Sequence, residues 1–165
     1  MQERDANGQV KAILAFVALA LGASACAATP QHQHGEAASA AAGDSRQLVR
    51  FPEPMRVRTL TNMRDHLLAL QEINDALSRS DFEKAASIAE RRLGMTSLEA
   101  HDARHVAGFM PKAMQDIGSQ MHRSASRFAV EAQNASVAND VKPALAALGQ
   151  VMQQCSACHA AYRLQ

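Results

Sequence analysis

The chain has 165 residues, 47% of them hydrophobic but only 4% aromatic and none of them Trp, enough for one core. Its wealth of Ala, Leu, Met, Gln and Arg favours helix over a sheet built from β-branched and aromatic residues. The formal net charge is +1, and no basic cluster is interleaved with aromatics, which sets nucleic-acid binding aside.

The N-terminus reads as an address. Ala12 to Ala25 is an unbroken apolar run behind Lys11, of the length of a secretory core and too short to span a bilayer comfortably. Residues 1–25 are therefore expected to be an export signal, with small residues at Ala23-Ser24-Ala25 for cleavage. Leu21 to Cys26 also resembles a bacterial lipobox, so two outcomes stay open: lipidation and membrane attachment at Cys26, or loss of the signal and soluble release. Residues 26–50 read as a flexible tether, poor in apolar periodicity, with His32 and His34 as solvated linker histidines.

Residues 51–165 carry the helical signals. From Val57 to Arg79 the positions Leu60, Met63, Leu67, Leu70, Ile73 and Leu77 share one helical face. Ser80-Asp81 caps a second helix, with Phe82, Ala85, Ile88 or Ala89 and Leu93 inward and Gly94 as its stop. Thr96 and Glu99 form a capping-box pattern for a stretch through Phe109, and Pro111 interrupts it or starts a new helix. The segment from Pro111 to Asn134 carries Met114, Ile117, Met121, Phe128 and Val130. Asn139-Asp140 opens the last helix, whose predicted face is Val141, Leu145, Leu148, Met152, Cys155 and His159. The expected fold is all-α, an antiparallel four-helix bundle with a cofactor lodged between facing helices.

Cys155, Cys158 and His159 form C-x-x-C-H. Two thiols able to add across the vinyl groups of a haem stand next to an imidazole that can reach its iron. A thioredoxin-type pair lacks its βαβ context, a zinc site lacks a second Cys pair, and a plain disulfide gives no reason for the adjacent His. The reading is one covalent haem c, with His159 as axial ligand. Met110, Met114 and Met121 with His101, His105 and His122 read as core and rim residues rather than a copper site.

The run Cys155 to Arg163, CSACHAAYR, resembles the C-terminal signature of the cytochrome c′ family, closely in the motif and in outline over 57–165. The resemblance implies that Arg163 lies near the haem and its propionates, that Tyr162 packs beside it, and that the first helix supplies the residue over the other haem face. Met63 is the candidate sixth ligand, with Leu60 as a non-ligating neighbour and His66, about 60° around the helix from Met63, as further contenders. A ligating Met implies a periplasmic one-electron carrier working with redox partner proteins, not a turnover enzyme. An apolar residue in its place implies an open iron that binds small gases such as NO or CO. A homodimer is one assembly the family suggests.

Overall fold

The computed structural model describes residues 43–165. The apolar segment, Cys26, His32, His34 and the tether as far as residue 42 lie outside the described residues.

Five helices dominate: α1 (Glu53–Ser78), α2 (Phe82–Arg92), α3 (Ala103–Ala107), α4 (Lys112–Ala138) and α5 (Lys142–Ala161). A 3-10 turn at Met95–Ser97 follows α2, and two short strands, β1 (Gln47–Val49) and β2 (Tyr162–Leu164), flank the set. Helix therefore prevails, as the composition predicts. Among the described helices none is long and apolar enough to cross a membrane.

Local chemistry explains most of the boundaries. Helix α1 starts at Glu53, earlier than the periodicity suggests, because Pro54 falls in the first turn, where a missing N–H costs nothing. The Asp81 carboxylate accepts from the Lys84 N–H (3.2 Å) and caps α2. At the other end the Gly94 N–H donates to the Ala89 carbonyl (2.8 Å), and a Cβ there would lie 2.8 Å from the Glu90 carbonyl oxygen, so glycine is required by close approach. Asn139 closes α4 in the left-handed region, φ 51°, a conformation Asn tolerates. Asp140 then accepts from the Lys142 N–H (3.0 Å) and opens α5.

The Thr96 capping box does not form. The Thr96 hydroxyl donates to the Glu90 carbonyl (2.8 Å) and its N–H to the Glu90 carboxylate (3.1 Å), so both groups are spent on closing the α2 corner. The chain turns instead of starting a helix, and the five-residue α3 begins only at Ala103.

The larger core lies where α4 packs against α2 and α5, centred on Phe128, Ile73, Leu93 and Val151, with rows of Ala permitting close approach. Two predicted stripes shift. On α1, Leu67 is 70% exposed, and the buried line runs through Ala69, Ile73, Ala76 and Leu77. On α5, Leu145 and Met152 are exposed, and the buried line is Ala144, Ala147, Leu148 and Val151. Small Ala residues form the contact, so counting only large apolar side chains misplaces the face. Val130 of α4 is likewise exposed.

Residues 47–49, placed within the tether on sequence grounds, belong to the folded unit Gly43–Gln165. β1 pairs in parallel with β2, Leu48 opposite Arg163. The Gln165 side-chain amide closes this seam, donating to the Phe51 carbonyl (2.6 Å) and accepting from the Phe51 N–H (3.1 Å). Val49, Phe51, Met55, Val106 and Met114 make a second, smaller core beneath it, against which Cys158 and Tyr162 pack. The strands thus fix the backbone immediately after His159.

Candidate functional site

Helix α1 packs along α2 but not to a comparable extent against α4 or α5. The space so left is a cavity of about 640 Å³. Cavities that hold cofactors commonly measure about 300–1,000 Å³. Its walls come from Met63, His66 and Leu70 of α1, His101 before α3, Met110 after α3, Met114, Met121 and His122 of α4, and Cys155, Cys158 and His159 of α5. Leu67 also lines it, which explains why so apolar a side chain is exposed: it faces the cavity.

Cys155 and Cys158 sit one helical turn apart near the end of α5, so both thiols reach the same cavity. They are free thiols and half-buried. Burial pushes both of their pKa values up, and the neighbouring Cys155 raises that of Cys158 further. Neither is the low-pKa thiolate of a redox-active pair. His159 follows in the last turn and is exposed on the cavity wall.

A smaller hollow of about 300 Å³ is also lined by Met63, Met114, Cys158 and His159, and it adds Leu60, Arg46, Tyr162 and Arg163. Met63 and His159 therefore face one space from opposite elements, with Leu60 beside Met63. His66 lines the larger cavity but not this hollow.

Two guanidinium groups stand at the hollow. Asp44 is held by Arg46 through a bidentate ion pair (2.7 and 2.9 Å), which keeps its carboxyl at about 2. Arg163 Nε approaches the same carboxylate at 3.4 Å without hydrogen-bond geometry and is buried with no hydrogen-bond partner among the described residues. A buried donor left unpaired is costly, and a carboxylate arriving at the hollow would satisfy it. Arg46 escaped the sequence reading because it falls in a stretch without apolar periodicity. Its role follows only from the pairing of β1 with β2.

A donor set of two free thiols and an imidazole, a mostly apolar cavity of suitable size, and at its margin a guanidinium whose Nε is buried without a hydrogen bond fit a haem held covalently by Cys155 and Cys158. Cys155, Cys158, His159, Met63, Leu60 and Arg163 are thus all brought to adjoining walls.

Sequence reasoning missed one further grouping. The rings of His66, His101 and His122 lie together, with centroids 4.8, 5.5 and 6.4 Å apart. His122 is buried rather than at a rim, and His105 stands apart on the surface beside Phe109. Positions so far apart in the chain, each alone on its own element, give no local signal.

Comparison with protein-family models, with curated proteins and with solved structures yields no match to this chain.

Proposed function

We propose that the protein is a monohaem c-type cytochrome of the four-helix-bundle kind, acting as a one-electron carrier. The observation that carries this reading is that Cys155, Cys158 and His159 of α5 line one cavity together with Met63 of α1. When bound, the haem iron supplies a centre that gains and loses one electron.

The chain's own residues do the rest. Cys155 and Cys158 would hold the group through thioether bonds, and His159 would ligate its iron. Met63 would offer a thioether donor, which favours the reduced state and raises the potential. Leu60, Leu67, Leu70 and Met114 exclude water, while Arg163, aided by Arg46, meets the propionate charge. Helices α1, α4 and α5, with the segment around α3, supply the walls of the cavity.

The segment 1–25 supports export to the periplasm, where covalent attachment would take place, with Cys26 either lipidated or lost with the signal. A second reading rests on Leu60, which shares the smaller hollow with His159. If Leu60 rather than Met63 covers the iron, the protein binds small gases.

Absorption spectra of the matured protein, oxidised and reduced, with and without carbon monoxide, separate the two. A low-spin spectrum with a methionine charge-transfer band, lost in Met63→Ala and indifferent to carbon monoxide, supports electron transfer. A high-spin spectrum that shifts with carbon monoxide overturns the Met63 ligation and favours gas binding.

A further inference from the structure

We propose that His66, His101 and His122, on the walls of the same cavity but away from the C-x-x-C-H motif, form a second site that binds a divalent first-row transition-metal ion such as Zn²⁺ or Cu²⁺ through their Nε2 atoms.

The hydrogen bonds define which nitrogen is available. His122 Nδ1 lies 2.7 Å from the Leu93 carbonyl oxygen. A carbonyl only accepts, so Nδ1 carries the proton and the lone pair is on Nε2. Ser97 Oγ donates to the Gly94 carbonyl (2.7 Å), which commits its proton, and it lies 3.4 Å from Nδ1 of His101. Ser97 Oγ, which is also 3.4 Å from Nδ1 of His122, can accept there, so a proton on Nδ1 of His101 leaves the lone pair on its Nε2, as the proposed ligation requires. His66 Nε2 is buried without a hydrogen-bond partner among the described residues. An oxygen behind Nδ1 that turns Nε2 toward an ion is the usual second-shell arrangement of metal-binding histidines.

Protonation does not compete. Burial first, and then the neighbouring imidazoles, push His66 down to about 4, and burial lowers His101 and His122 as well. All three are neutral ligands at pH 7.

The spacing also fits. With Zn–N about 2.0–2.1 Å and the ring centre about 1.1 Å behind Nε2, two tetrahedral His ligands have centroids about 5.2 Å apart. The observed separations, 4.8, 5.5 and 6.4 Å, bracket that value. Among the described residues no three potential ligands already converge at ligating distance. Binding therefore requires side-chain rotations, chiefly to close the gap between His66 and His122.

The site is distinct from the C-x-x-C-H end of the cavity. Met114, which packs with Cys158, precedes His122 by two turns of α4, roughly 12 Å along the axis. An imidazole set of this kind suits zinc and copper and leaves a fourth position open to water.

The test is Zn²⁺ binding to the purified full-length protein, measured by competition with a chromophoric chelator. The set comprises the wild type, His101→Ala, His122→Ala, His105→Ala and the Cys155→Ser/Cys158→Ser double variant. We expect one ion per chain, retained in His105→Ala and in the double variant. His101→Ala and His122→Ala should weaken it by more than the roughly 10–100-fold that loss of an outer-shell partner costs. His101 is half-exposed, so His101→Ala carries the test if His122→Ala does not fold. Absence of stoichiometric binding, survival in His101→Ala, or loss only in the cysteine variant would each overturn the proposal. Retention in the double variant separates this outcome from any failure of the haem reading.

Discussion

Leu148→Ala and Leu145→Ala remove the same atoms from α5 three residues apart, yet they should differ severalfold in cost. Leu148 is 7% exposed and packs in the core with Ala132, Ala144 and Val151, whereas Leu145 is 46% exposed. Truncating a buried Leu costs about 2–5 kcal/mol through lost transfer energy and a residual cavity. A half-exposed Leu loses only part of the transfer term, under about 1 kcal/mol. For a folded unit of this size, a loss of about 3 kcal/mol lowers Tm by on the order of 10 °C. Thermal and urea unfolding followed by far-ultraviolet circular dichroism measures both, and an unchanged urea slope confirms a like transition. Neither residue lines either cavity, so occupancy of the candidate site does not confound the comparison. Equal costs, or a larger one for Leu145, would restore the stripe of large apolar residues and refute the register described here.

Asp81→Ala removes the side-chain cap of α2 and should cost about 1 kcal/mol by urea unfolding, while Asp81→Asn retains an acceptor and should cost less. In the Cys155→Ser/Cys158→Ser variant with chelator, His66 should make stability pH-dependent. Its folded pKa of about 4 lies below the 6.5 of the unfolded chain, so the unfolded state takes the proton first. Stability is complete above pH 6.5, falls with pH below it, and stops changing through this group near pH 4, by at most about 3 kcal/mol. His66→Leu should flatten that slope, and an unchanged slope would contradict the burial of a neutral imidazole.

The legible parts of the molecule were those written in local chemistry. Asp81 and Gly94 bound α2, Pro111 starts α4, and Cys155, Cys158 and His159 occupy neighbouring positions on one helix end, so sequence spacing alone brings them together. What depended on distant partners was not legible. Leu67 and Met152 carry the periodicity of a core but point away from it, because Ala69 and Val151 form the close contacts instead. Thr96 and Glu99 have the spacing of a capping box, but Glu90, from the preceding helix, claims Thr96 first. β1 and β2 are three residues each and exist only because segments more than a hundred residues apart, at the two ends of the unit Gly43–Gln165, meet. The same holds for Arg46 beside Arg163, and for the three histidines, which come from α1, the link before α3, and α4.

The most direct test of the haem assignment is retention of haem after denaturation, read by peroxidase staining of a denaturing gel and by intact mass, in protein expressed with a c-type maturation system. The account predicts one haem that stays with the wild-type chain and is lost from the Cys155→Ser/Cys158→Ser variant. A wild-type chain that emerges from that system without covalent haem, its cysteines still free, would contradict it.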